Sequence, residues 1–429
     1  MRVDAPRLSL GRAHLLASTI AREARRAGIP VKDLTPVGGL RRFAPDMRAV
    51  AVLAVAPASR HAHVRKGLTS LPGVVTSTPH PLGGLTLDTE RGSVTVHLTD
   101  AASAGSAMVW HTGSHAHVAR LCGRASDRGL VFDAAQLTRT GVTVSCQTEP
   151  ELYEQVGLPY IPPELRQGDD EFDAALEGRL PALVYDVHIR GDLHTHSTWS
   201  DGRDPIDFMV TAARQIGYEY IAITDHSERA AASRTLAAGD VAHQRAGIVA
   251  LRARVTNIQI LHGIEVDIMP DGSLDFDESL LAGFDLVLAS LHDDAGQDGT
   301  QLTERYLQAI RHPLVNVITH PANRSPTRSD GYDLDYDRLF EAAAASGTAM
   351  EIDGAPAHLD MDGAVARRAT AAGVMLTIDS DAHRAEWLAR QMRFGTGTAR
   401  RGWVEPGHVL NTRSVDEVRA FVARKRARG

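Results

Sequence analysis

Gly191-Asp-Leu-His-Thr-His-Ser-Thr-Trp-Ser-Asp-Gly202 opens a series of nine potential metal ligands that ends at Asp381-Ala-His383. In chain order they are His194, His196, Asp201, His226, Glu265, His292, His320, Asp381 and His383. Most follow directly on a β-branched or aliphatic run, where a buried strand would end and direct its last side chains into a cavity. His194 and His196 stand two apart, so on an extended strand end they share a face and can grip one ion; Asp381 and His383 repeat that spacing. Glu265 is central in the series and has two oxygens with which to bridge two ions. Six histidines and three carboxylates suit Zn, Mn or Fe, whereas a magnesium site uses mainly oxygen ligands and water. Ions about 3.5 to 4 Å apart clamp the attacking and leaving oxygens of a phosphoester and acidify a bound water. A core role does not account for nine such residues, because each buried polar group needs a partner. Lone histidines such as His97, His111 and His358 read instead as surface or hydrogen-bonded residues.

Around the ligands the chain repeats a β-then-α rhythm. Strand candidates are Tyr220–Thr224, Gln259–Ile264, Leu286–Ser290, Val315–Thr319, Ala349–Ile352 and Met375–Ile378, with several Ala-rich helical segments between them. The expected architecture is a parallel β/α barrel, in which functional residues sit at the carboxyl ends of the strands.

The preceding sequence differs. Apolar residues recur at helical spacing from Arg12 to Gly28, Met47–Ala56 reads as a strand, and the runs Leu85–Glu90 and Ser93–Thr99 read as a hairpin turning at Arg91-Gly92. This predicts a mixed, largely antiparallel α+β unit. The Pro-rich run from Gly157 to Pro163 and the acidic stretch Gly168-Asp-Asp-Glu171 read as a connector, placing a domain boundary near 165 to 188.

Charge divides along similar lines. Residues 1–150 carry 18 Lys and Arg against 10 Asp and Glu, so the rest of a chain of net charge −7 stands at −15. A basic segment beside an acidic, metal-seeking one could hold a polyanion near a catalytic centre. The terminal run Arg424-Lys-Arg-Ala-Arg428 reads as solvated charge. With 429 residues, 43% of them hydrophobic, two or three globular domains are expected. Cys122 and Cys146 form no disulfide framework or CxxC, which predicts packed thiols in a reducing, cytoplasmic setting. Met1–Pro6 lacks the pattern of a signal peptide, no apolar run reaches the length of a membrane span, and the protein is expected to be soluble.

Gly191–Gly202, Ile223-Thr-Asp-His-Ser227, His262-Gly-Ile-Glu265, Ser290-Leu-His292, Thr319-His-Pro321 and Asp379-Ser-Asp-Ala-His383 resemble the motifs of the PHP (polymerase and histidinol phosphatase) superfamily. The resemblance implies a distorted (β/α)7 barrel over residues 189–429 with three divalent ions. By position, His194, His196, Glu265 and Asp381 would hold one; Glu265, His292 and His320 a second; Asp201, His226 and His383 a third. Glu265, His292 and Asp381 would form the catalytic set, and Arg324, matching a family arginine, would bind a phosphate oxygen. Asp353 stands where the family often has Asn.

The flanks narrow the resemblance. Tyr160-Ile-Pro-Pro-Glu-Leu-Arg166, Gly178-Arg-Leu-Pro181, Ile189-Arg-Gly-Asp-Leu193, Ala399-Arg-Arg-Gly-Trp403 and, more weakly, His408-Val-Leu-Asn-Thr412 look like the PHP-carrying bacterial family X DNA polymerases. Val37-Gly-Gly-Leu-Arg-Arg42 resembles their nucleotide-binding turn, and Trp110-His-Thr-Gly-Ser114 their sugar-facing segment. The implied order is a degenerate nucleotidyltransferase-like palm (1–105), a thumb (106–165), a linker (166–188) and the barrel. Ala49, Ala51 and His97 stand where the family keeps its three catalytic aspartates, and the stretch before Arg12 is too short for the family's usual N-terminal domains. The expected protein is thus a phosphoesterase without polymerase activity. Its expected substrates are nucleic-acid 3′ ends, trimmed as a 3′→5′ exonuclease or 3′-end processor, or alternatively small phosphomonoesters such as nucleotides, sugar phosphates or a histidinol phosphate-like ester. No membrane role or protein partner is implied.

Overall fold

The computed structural model describes residues 7–81 and 83–427; the Met1–Pro6 segment and Arg428 of the basic tail lie outside the described residues. The chain forms two compact units, Met1–Leu180 and Pro181–Gly429.

In the first unit the helix Leu10–Arg26 buries Leu10, Ala13, Leu16, Ala17, Ile20 and Ala24, the stripe that its spacing dictates. A five-stranded sheet runs in the order Leu34–Val37, Val50–Val55, Gly92–Thr99, Leu85–Thr89, Val74–Pro79. Only the Val50–Val55 and Gly92–Thr99 pair is parallel, and the hairpin closes where Thr89 pairs with Gly92. Helices Ala104–Thr112, His115–Ser126 and Glu149–Gln155 follow, with a small antiparallel sheet between the last two.

The acidic stretch after Gly168 packs into this unit. Glu171, at the start of the helix Glu171–Leu176, is fully buried with its carboxylate 2.7 Å from His117 Nδ1, and the Tyr153 hydroxyl lies 2.9 Å from His117 Nε2. The compact unit to Leu180 therefore carries 20 Lys and Arg against 18 Asp and Glu. The positive excess of residues 1–150 is largely neutralised by the acids that follow.

The second unit is a nearly closed barrel of seven parallel strands in sequential order: Gly191–Asp192, Tyr220–Ile223, Gln259–Asp267, Leu286–Ser290, Val317–Ile318, Ala349–Asp353 and Leu376–Asp379. The six strands expected from apolar runs are present. The seventh, Gly191–Asp192, is too short and polar to register as such a run.

Strand alternation sorts the side chains. Leu261, Leu286, Leu288, Val317 and Ala349 form an inner cluster with Val418, Phe421 and Val422 of the C-terminal helix Val415–Arg426, while Val287 and Ala289 join the cluster beneath the outer helices. Further along the same inner faces stand Gly263 and Glu265 beyond Leu261, and Glu351 and Asp353 beyond Ala349. The interior therefore turns from apolar to acidic toward the strand ends.

The seam between the first and last strands is closed by a Thr195–Ala382 bridge and by Asn411, whose side chain donates to the Gly191 carbonyl and accepts from the Ile378 amide, both at 3.0 Å. The basic tail read as solvated is partly pinned instead. Lys425 is buried with Nζ 2.7 Å from the Ile310 carbonyl, and Arg426 reaches the Phe284 carbonyl at 2.7 Å. Among the described residues no helix is long and apolar enough to cross a membrane.

Candidate metal centre

All nine residues of the series converge at the carboxyl ends of the barrel strands. Glu265, fully buried, is the hub. Its Oε2 lies 3.3 Å from His194 Nε2, 3.5 Å from His196 Nε2 and 2.7 Å from His226 Nδ1; its Oε1 lies 2.9 Å from His320 Nε2 and 3.5 Å from His292 Nε2. Asp381 Oδ1 stands 3.0 Å from His196 Nε2 and 3.6 Å from His194 Nε2, and Asp201 Oδ1 stands 3.1 Å from His383 Nε2 and 3.5 Å from His226 Nε2.

Three groups of donors each lie close enough to share an ion: His194, His196 and Asp381; His196, Asp201, His226 and His383; and His226, Glu265 and His292. Compared with the division that the family resemblance implies, His226 and His196 each stand between two groups, and His320 reaches the centre through Glu265. Two residues are bent to fit. His320 and Asp381 have φ of +25° and +47°, positive values that non-glycine residues rarely adopt.

The donor set fits divalent cations. His194 Nε2 and His196 Nε2 approach to 3.0 Å with two carboxylate oxygens beside them, an arrangement that a shared cation satisfies better than a single proton. His196 Nδ1 and His320 Nδ1 are also buried without a hydrogen-bond partner.

Protonation follows the same logic. Burial works against the Glu265 carboxylate, but the charges of His226, His194 and His292 overcome it and hold the group well below its usual range. Burial also opposes ionisation of Asp201, yet the His383 hydrogen bond and the neighbouring histidines bring it down to about 2. His196 is pushed down to about 3 by burial and by His383 and His226, which leaves it neutral. Burial lowers His383, but Asp381 and Asp201 outweigh it and raise the group to about 9, a proton that a cation would displace.

Several neighbours escape a reading of the sequence. Glu351 Oε1 lies 2.7 Å from His194 Nδ1, and Asp267 Oδ1 lies 2.6 Å from His292 Nδ1. Asp225 accepts from the amides and hydroxyls of Ser197 and Ser200 and from the Gln244 side-chain amide, which fixes the loop that carries Asp201. A signal was present for Glu351: an acid inside the strand run Met350-Glu-Ile352 is buried and needs a partner.

His358, from its sequence an ordinary polar residue, stacks on His320 at 5.3 Å between ring centroids, and burial with His320 brings it down to about 4. His97 is not a surface residue either. It stacks on His111 at 3.6 Å, and its buried Nδ1 has no hydrogen-bond partner. Arg324, four residues beyond His320, pairs with Asp362 Oδ2 at 3.1 Å.

A parallel barrel with an acid and imidazole centre at its mouth defines a PHP-type, phosphoesterase-like domain, and comparison with known proteins agrees. Residues 192–352 match the PHP domain family, and residues 107–167 match the DNA polymerase beta thumb. Over 96% of its length the chain is 35% identical to the DNA polymerase/3′-5′ exonuclease PolX of Bacillus subtilis, spanning 69% of that protein. Over 45% of its length it is 29% identical to a probable phosphatase of Caldanaerobacter subterraneus and 32% identical to one of Shewanella oneidensis, in each case spanning 75% of the relative. The chain belongs to the PolX family of PHP-bearing family X polymerases.

Proposed function

We propose that the barrel is a metal-dependent phosphoesterase of nucleic-acid 3′ ends, a 3′→5′ exonuclease or end processor, and that the first unit no longer polymerises. The observation that carries the hydrolytic reading is the convergence of six imidazoles and three carboxylates around Glu265. Three ions of the Zn, Mn or Fe type suit this donor set. Bound there, they would supply positive charge for the phosphoryl oxygens and acidify a water. In this reading Glu265, His292 and Asp381 would hold ions as the catalytic set, and Arg324 would hold a phosphate oxygen while Asp362 steadies its guanidinium. Similarity to an exonuclease along nearly the whole chain supports a polymer substrate. The free Cys122 and Cys146 suit a reducing, cytoplasmic setting.

Loss of polymerase activity rests on side chains. Ala49, Ala51 and His97 offer no carboxylate, and burial together with His80 brings His97 down to about 4, so it is neutral at physiological pH. Arg41 in the nucleotide-binding-like turn is bound through both terminal nitrogens to Glu149, at 2.8 and 2.6 Å, and Arg42 donates to the Thr112 carbonyl.

A second reading, a phosphatase of small monoesters, draws on the nearly balanced charge of the first unit, which offers little general attraction to a polyanion. The discriminating experiment compares single-stranded oligonucleotides with mononucleotides and sugar phosphates, using protein loaded with the metals that elemental analysis finds in it. Oligonucleotide turnover from the 3′ end, lost in Asp381→Ala and accompanied by no template-directed incorporation, is the expected result. Turnover of monoesters alone would establish the second reading.

A further inference from the structure

We infer that Glu351 and Asp267 are positioning residues that set the tautomers His194 and His292 adopt when an ion binds, so that each imidazole keeps its proton on Nδ1 and offers the Nε2 electron pair to the ion. This rests on the metal-centre reading and extends it to two residues outside the nine. Both histidines present Nε2 to Glu265, at 3.3 and 3.5 Å, and both place Nδ1 against a carboxylate, at 2.7 and 2.6 Å. A carboxylate can only accept there, so Nδ1 keeps its proton and Nε2 is the nitrogen that gives up its own when an ion binds. His196 and His320 have no such partner, since their Nδ1 atoms are buried and unbonded.

Glu351 permits a sharp test because its second oxygen accepts from the His320 amide at 2.8 Å. In Glu351→Gln the side-chain amide can satisfy both neighbours in one orientation only, with its oxygen on the His320 N–H and its NH2 on His194 Nδ1. That orientation preserves both hydrogen bonds and the packing. It also makes His194 Nδ1 an acceptor and leaves the ring proton on Nε2, facing the centre. A merely structural Glu351 would tolerate this substitution; a tautomer-setting one would not.

The experiment measures ions per chain by elemental analysis, zinc affinity by chelator competition and the visible spectrum with cobalt(II), for wild type, Glu351→Gln, His194→Ala and the double variant. The expected result for Glu351→Gln is a wild-type fold by circular dichroism, zinc affinity weakened about 10- to 100-fold, and an altered cobalt spectrum. On the His194→Ala background the same substitution should change affinity less than about 2-fold, because the ring through which it acts is gone. Wild-type affinity and spectrum in Glu351→Gln, or full additivity with His194→Ala, overturns the inference. Should Glu351→Gln fail to fold, Asp267→Ala, which removes the acceptor of the His292 Nδ1 proton, puts the question to His292, and wild-type affinity and cobalt spectrum there overturn it equally. Wild-type protein that takes up no ion defeats the metal reading itself, and the inference with it, an outcome distinct from the others.

Discussion

Individual side chains in this protein are often ionisable and buried at once, and many are answered by a specific partner. His117 and Glu171 in the first unit are the clearest pair outside the metal centre. Burial pushes His117 below the ordinary 6.5, and Arg166 adds to this against the opposing pull of Glu171. Burial opposes the Glu171 carboxylate, but hydrogen bonds from His117 and the Gly168 amide bring it below the ordinary 4.5. Both groups therefore bind fewer protons folded than unfolded. Stability drops as the pH is lowered, first below 6.5 through His117 and then below 4.5 through Glu171. Glu171→Gln should destabilise the first unit by about 1 kcal/mol at neutral pH. It should also make the acid slope below 4.5 shallower by Glu171's share while leaving the part above it. Urea titrations at neutral and two acidic pH values measure this, and a slope unchanged below 4.5 would contradict it. The pair is not legible in the sequence, because 54 positions separate its members and nothing local to either announces the other.

Between strands and helices, the barrel depends on a seam that backbone pairing alone does not complete. Asn411 stands in for a strand there, bonding Gly191 on one side and Ile378 on the other from the short turn Leu410–Thr412. Asn411→Ala takes this partner from three backbone groups, the Gly191 carbonyl and the Ile378 amide and carbonyl, and each left unsatisfied should cost about 1–3 kcal/mol. Thermal denaturation checks the loss, and a variant as stable as wild type would show that the seam closes without it. The sequence marks the neighbourhood, since His408–Thr412 is among the weaker matches to the family pattern, but it does not say why. Longer elements are easier to read. Strands with four or more consecutive apolar or β-branched residues declare themselves, whereas Gly191–Asp192 is a strand only because its neighbour Tyr220–Ile223 pairs with it.

For the protein entire, ions held by the folded barrel and not by the unfolded chain must stabilise it. Chelation is expected to abolish hydrolysis and to lower the melting temperature of the barrel unit by roughly 5–10 °C, for ions present at about a hundredfold above their dissociation constants. Scanning calorimetry with and without chelator, followed by addition of zinc or manganese, tests this; a melting temperature indifferent to chelation counts against resident ions. The linear chain already specified the barrel and the nine candidate ligands, because strand ends and ligand spacing are local patterns. It also shows Ala49, Ala51 and His97 at the three positions where the family resemblance implies carboxylates. What surrounds those residues emerged from the fold alone. Glu351, Asp267, Asp225 and His358 join the centre from distant strands and loops, and the acids after Gly168 fold back to neutralise the basic N-terminal segment. A side chain's partner and protonation state depend on what packs against it across the fold, and sequence neighbours do not fix that.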